Sequence, residues 1–94
     1  MRIYISGAMR SCPTTYKRKF NEAAKRINAN GDIAVNPAIL PNGLDHERYM
    51  PICLDMIDGA DAILMLKDWT TSKGARLEKA YAEYQGKKVL YEKE

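Results

Sequence analysis

Short consecutive apolar runs and longer stretches of helical period succeed one another along this chain in a regular order. Ile3, Tyr4 and Ile5 are consecutive β-formers stopped by Gly7, so Arg2 to Ser6 reads as a short strand covered on both faces. From Thr14 to about Asn30 the period becomes helical: Tyr16, Phe20, Ala23 or Ala24, and Ile27 form one stripe, with Lys17, Arg18, Lys19, Lys25 and Arg26 facing outward. Thr14 is placed to cap this helix, and Asn30-Gly31 to stop it. Ile33 to Val35 gives a second strand, ended by Asn36-Pro37.

Residues 37 to 46 carry Pro37, Pro41, Asn42 and Gly43 and read as a loop, long for a small domain and so a candidate lid or binding loop. His46, the one histidine, has no ligand pattern around it and reads as a surface residue where the next helix begins. Tyr49, Ile52, Cys53, Met56 and Ile57 make a second amphipathic stripe closed by Gly59, with Pro51 acceptable only in its first turn. Ala62 to Leu66 is a third, fully buried strand, followed by the polar loop Lys67 to Lys73. A third helix presents Leu77, Ala80, Tyr81 and Tyr84 inward and ends at Gly86; Val89 to Tyr91 is a short edge strand. The alternation predicts an α/β fold with four parallel strands in the order 2-1-3-4, flanked by helices, with its switch point between the first and third strands.

Length bounds this picture: 94 residues are expected to form a single domain, 1–94. With 46% hydrophobic and 29% charged residues the composition is ordinary for a water-soluble domain. Fifteen Lys and Arg against twelve Asp and Glu leave +3, scattered along the chain. That suits a small anionic ligand better than a nucleic-acid polymer. Cys12 and Cys53 have no metal-like spacing and fit a reducing cytoplasm. No secretion signal or membrane span is expected, and nothing calls for a metal or redox cofactor.

Right-handed parallel topology brings the loops after the first three strands to one edge, gathering Ser6, Arg10, Asn36, Asp68, Thr70, Thr71 and Ser72. Ser72 with the free amides of Lys73 and Gly74 makes a cradle for phosphate at a helix N-terminus, or Ser72 is simply an N-cap. Arg10 is either a phosphate ligand or a solvated loop charge. Glu78 lies beside Leu77, rotated toward the edge of the inner face. It is either a surface glutamate or a carboxylate aimed at a sugar, where an anion would stabilise an oxocarbenium-like centre and form a covalent adduct.

Taken together, Ile3-Tyr4-Ile5-Ser6-Gly7-Ala8-Met9, Val35-Asn36-Pro37-Ala38, Cys53 with Asp61-Ala62-Ile63, and Trp69 with Ser72-Lys73-Gly74-Ala75-Arg76-Leu77-Glu78 follow one another in a familiar order. Over nearly its whole length the chain resembles the small phage- and bacteria-associated DUF4406 proteins, within the nucleoside 2-deoxyribosyltransferase-like superfamily. The resemblance implies a Rossmann-like or flavodoxin-like three-layer sandwich. It implies cleavage or transfer at the N-glycosidic bond of a deoxyribonucleoside or its 5′-monophosphate, and a homodimer or larger homo-oligomer. Glu78 matches the nucleophile and Tyr4 the first-strand tyrosine near it. Arg10 and Ser72 match residues holding a 5′-phosphate, with Ser6, Gly7, Asn36 and Gly74 expected around the substrate.

Two positions depart from that pattern. Ala8 replaces a phosphate-binding serine, and Cys53 stands where relatives commonly carry an acid/base aspartate. A thiol neither accepts bidentate hydrogen bonds nor stays ionised at neutral pH without help. Asp55, two residues on and about 200° around a helix, is the nearby carboxylate. The leading expectation is therefore a deoxyribosyltransferase or N-glycosidase. The alternatives are a nucleotide-binding module that has lost the chemistry and a small interaction protein.

Overall fold

A computed structural model describes residues 1–41 and 43–93. The strands are β1 (Arg2–Ser6), β2 (Ile33–Val35), β3 (Ala62–Met65) and β4 (Lys88–Tyr91), and the helices are α1 (Tyr16–Ala29), α2 (His46–Asp58) and α3 (Lys73–Tyr84). Short 3₁₀ turns cover Pro37–Ile39 and Trp69–Thr71. The sheet runs β2-β1-β3-β4 with every neighbouring pair parallel. Tyr4 lies between Val35 and Ile63, and Ser6 beside Met65.

Strand period 2 divides β1 between two cores. Ile3 and Ile5 pack with Phe20, Ala23 and Ile27 of α1 and with Ala62 and Leu66. Tyr4 packs on the opposite face with Cys53 and Ile57 of α2, Ala75 and Ala82 of α3, and Ile63 and Met65. The result is three layers, α1 below the sheet and α2 with α3 above it. Phe20 is fully buried, and its removal from water contributes roughly 2–3 kcal/mol.

Several local details differ from the sequence reading, each for a physical reason. Thr14 does not cap α1; Thr15 holds the N-cap position without a side-chain bond. The Cys12 carbonyl takes the amides of both Thr15 and Tyr16, so a turn runs straight into the helix. Pro51 falls in the second turn of α2, because Asp45 caps the helix by accepting from the Arg48 amide at 3.3 Å. Its missing N–H leaves the Glu47 carbonyl without a helical donor, on an exposed stretch. Leu66 lies just past β3, yet it is buried and gives its amide to the Ser6 carbonyl at 2.8 Å.

The largest correction concerns α3. Leu77, Ala80 and Tyr84 are exposed and Tyr81 is only partly covered; the residues turned inward are Ala75, Glu78 and Ala82. Small side chains let this helix lie close to the sheet, and the larger apolar ones are displaced to its flank. Asn30-Gly31 does end α1, with Gly31 at φ +87°, where a side chain would be strained. The expectation for Asn42, and that for the side chain of His46, lie outside the described residues.

Candidate active site

Tyr4 and Ser6 both point to the α2/α3 side of the sheet, and Glu78 comes down onto them from α3. The Ser6 hydroxyl donates to one carboxylate oxygen of Glu78 at 2.7 Å. The Tyr4 hydroxyl donates to the other at 3.0 Å. Tyr4 and Ser6 are fully closed to solvent, and Glu78 keeps 7% of its surface exposed. Burial pushes the Glu78 carboxyl up to about 7, against the hydrogen bonds from Ser6, Tyr4 and Cys53, which favour the anion. The carboxyl thus changes charge near neutral pH.

Cys53 is fully buried beside this pair. Burial first, and then the neighbouring Glu78 charge, push its thiol up to about 12, so it carries its proton. Tyr4 is raised well above its ordinary value by burial and then by Glu78 and Cys53. The group is therefore one ionisable carboxylate held by two hydroxyls and a thiol. Asp55 does not join it: the residue is exposed on the outer side of α2.

A cleft of about 230 Å³ opens nearby, lined by Met9, Arg10, Pro13, Tyr16, Pro41, Gly43, Leu44 and Tyr49. Tyr49 links cleft and carboxylate, since its ring lines the cleft while the charge of Glu78 and the Cys53 thiol act on its phenol. Its hydroxyl lies 3.1 Å from both the Met9 sulfur and the Pro37 carbonyl oxygen. Arg10 is exposed on the cleft wall and makes no hydrogen bond or ion pair to any described residue.

The other expected ligands are engaged within the fold. The Asn36 side chain accepts from the Ala38 amide at 3.0 Å and donates to Asn21 at 2.9 Å. The Ser72 hydroxyl accepts from the Ala75 amide at 3.1 Å, so it caps α3. A Cβ on Gly74 would stand 3.3 Å from the Met50 methyl, which places α2 against that turn. Gly7 is required for a different close approach: a Cβ there would meet the Leu66 Cβ at 2.9 Å and Asp68 Oδ1 at 3.1 Å.

Two residues matter more than their sequence suggested. Asp68 accepts from the Ala8 amide at 3.0 Å and from Lys19 at 3.0 Å, pinning the β1–α1 loop. By spacing, Tyr49 is one member of an apolar stripe; a phenol among aliphatic residues at the start of α2 is the available signal. Among the described residues no group of three His, Cys, Asp or Glu could hold a metal ion. No helix among them is long and apolar enough to cross a membrane.

A four-stranded parallel sheet in the order β2-β1-β3-β4, with helices on both faces and a buried glutamate above it, defines a small α/β domain. The chain belongs to the DUF4406 family, whose model, described as a domain of unknown function, matches residues 1–91. Among solved structures it is similar to a 2-desoxiribosyltransferase from Leishmania mexicana, with a TM-score of 0.76 and 21% identity over 96% of this chain. It spans 62% of that protein's length. It is also similar to the CMP N-glycosidase BcmB of Clostridium botulinum, with a TM-score of 0.70 and 18% identity, covering 97% of this chain and 70% of that one. No curated protein sequence matches.

Proposed function

We infer that this protein acts on the N-glycosidic bond of a deoxyribonucleoside or deoxyribonucleoside 5′-monophosphate, with Glu78 as nucleophile. The observation that carries this reading is the buried Glu78 carboxylate, held from both sides by Tyr4 and Ser6 and titrating near 7. A glutamate in that setting is fixed in orientation and deprived of water, which suits attack on a positively charged sugar carbon. In the step proposed, a Glu78 oxygen bonds to C1′ as the C1′–N bond breaks, and the base leaves with the electron pair. Water or a second base then takes C1′ from the carboxylate, giving hydrolysis or transfer.

The fold shared with two proteins described as a 2-desoxiribosyltransferase and a CMP N-glycosidase supports this class of substrate. Arg10, open on the cleft wall, is the side chain placed to meet a phosphate. In this reading the protein works as a homo-oligomer in the cytoplasm on a small molecule. The test is base release from a panel of deoxynucleosides and their 5′-monophosphates, beside Glu78→Ala. Release that survives the substitution overturns Glu78 as nucleophile.

A second reading, a nucleotide-binding module without turnover, is favoured by one observation. Cys53 keeps its proton at neutral pH and offers no second carboxylate. Saturable binding of a monophosphate with no base released would establish that reading instead.

A further inference from the structure

Cleaving a glycosidic bond to a nucleobase leaves negative charge on the departing ring, and a donor aimed at that ring lowers the barrier. Cys53, with its thiol buried under the sheet side of α2, does not open to the cleft where a base would lie. Tyr4 and Ser6 direct their hydroxyl protons to Glu78. Two phenols line the cleft among the described residues, those of Tyr16 and Tyr49, and the charge of Glu78 acts on the phenol of Tyr49.

We propose that Tyr49 is a catalytic residue of this site, its hydroxyl donating a hydrogen bond to the nucleobase as the base departs. The inference rests on the reading of Glu78 as nucleophile. Three observations carry it. The ring lines the cleft together with Tyr16, Met9, Leu44 and Pro41, an apolar and aromatic enclosure suited to a planar base. The phenol lies within electrostatic reach of Glu78 and Cys53, which puts its wall of the cleft on the side of the carboxylate. The hydroxyl has only one proton for two acceptors, and one of these is the thioether of Met9, a weak acceptor. A ring nitrogen or carbonyl oxygen of the base is a better partner than sulfur, and when the phenol turns to it the Pro37 carbonyl keeps the Leu40 amide as a donor.

The balance of the step is unchanged by this role. The C1′–O bond to Glu78 forms, the C1′–N bond breaks, and the pair passes to the base. Tyr49 keeps its proton throughout, while the base takes one from water. Tyr49 thus stabilises charge in transit and is regenerated without a further reactant.

The test compares Tyr49→Phe with the unaltered protein on two substrates that differ in their need for such a donor. 2′-Deoxyadenosine leaves as an anionic purine unless assisted, whereas 7-methyl-2′-deoxyguanosine already carries a positive base and leaves neutral. Tyr49→Phe is expected to slow release of adenine about 10- to 100-fold and to change release of 7-methylguanine by less than about twofold. Met9→Leu, which removes the sulfur acceptor and leaves the phenol, is expected to change both substrates by the same factor. Equal loss on both substrates with Tyr49→Phe would overturn the proposal, since it would mark the residue as a strut between loops. If the unaltered protein releases neither base, the reading of Glu78 falls and this one with it; if it releases both and Tyr49→Phe changes neither, only this one falls.

Discussion

The Tyr4 hydroxyl donates to the Glu78 carboxylate across 74 positions of sequence, at 3.0 Å, in a space closed to water. Neither partner is stable there alone: a buried phenol without an acceptor or a buried carboxylate without donors costs several kcal/mol. The fold therefore holds an ionisable group whose charge is tolerated but expensive, and the consequences of that are measurable.

Replacing Glu78 by Gln removes the charge while keeping a side chain that Tyr4 and Ser6 still reach. Base release is expected to fall on the order of 10³-fold or more. At pH 8 the same variant is expected to be more stable, by on the order of 1–3 kcal/mol, because the buried anion is gone. Steady-state kinetics and thermal melting check the two halves, and a less stable variant would count against the burial argument.

The pH dependence follows from the rise of Glu78 from its ordinary 4.5 to about 7. Between those values the folded protein holds a proton that the unfolded chain has released, so stability falls as pH rises through that window. The loss amounts to about 3 kcal/mol, complete above pH 7 and absent below 4.5. Activity that needs the anion runs the other way, rising through pH 7 to a plateau. Ser6→Ala deletes a bond that favours the anion and is expected to move the rising limb about one pH unit alkaline. Denaturant melts and rate profiles from pH 4 to 9 would read both.

Cys53→Asp places a second carboxyl beside Glu78 in the same dry space. Stability at neutral pH is expected to fall roughly 2–4 kcal/mol, since two adjacent buried carboxyls cannot both ionise freely. Base release is expected not to rise, because a side chain at this position does not open to the cleft where the base would lie. Unchanged turnover would show that the thiol at this position was never limiting.

Gly7→Ala drives a methyl group to within 2.9 Å of the Leu66 side chain and 3.1 Å of Asp68. The expected cost is about 1–3 kcal/mol. It is also expected to weaken substrate binding, because Asp68 is what holds the β1–α1 loop through the Ala8 amide. Melting temperature and KM should move together; a shift in melting alone would separate the loop from the site.

Much of this molecule was legible in its residues. The unalternated Ile3-Tyr4-Ile5 run identified a central strand, and short apolar runs alternating with stripes of period 3.6 predicted all seven main elements and the strand order. Those features are local: each depends on which residues recur at a fixed spacing, and burial on one face enforces the spacing. The resemblance to DUF4406 proteins was legible too, and the family match over residues 1–91 bears out the family.

What spacing alone could not decide was which face of α3 turns inward. Leu77 and Glu78 stand about 100° apart, and a reading by hydrophobicity favours the leucine. The choice was made by Tyr4 and Ser6, whose hydroxyls wait 74 and 72 positions away for an acceptor. Small residues at 75 and 82 then let the helix settle onto the sheet and bury the glutamate between them. A carboxylate becomes a core residue only when its donors arrive from another element, and that meeting exists in the tertiary structure alone.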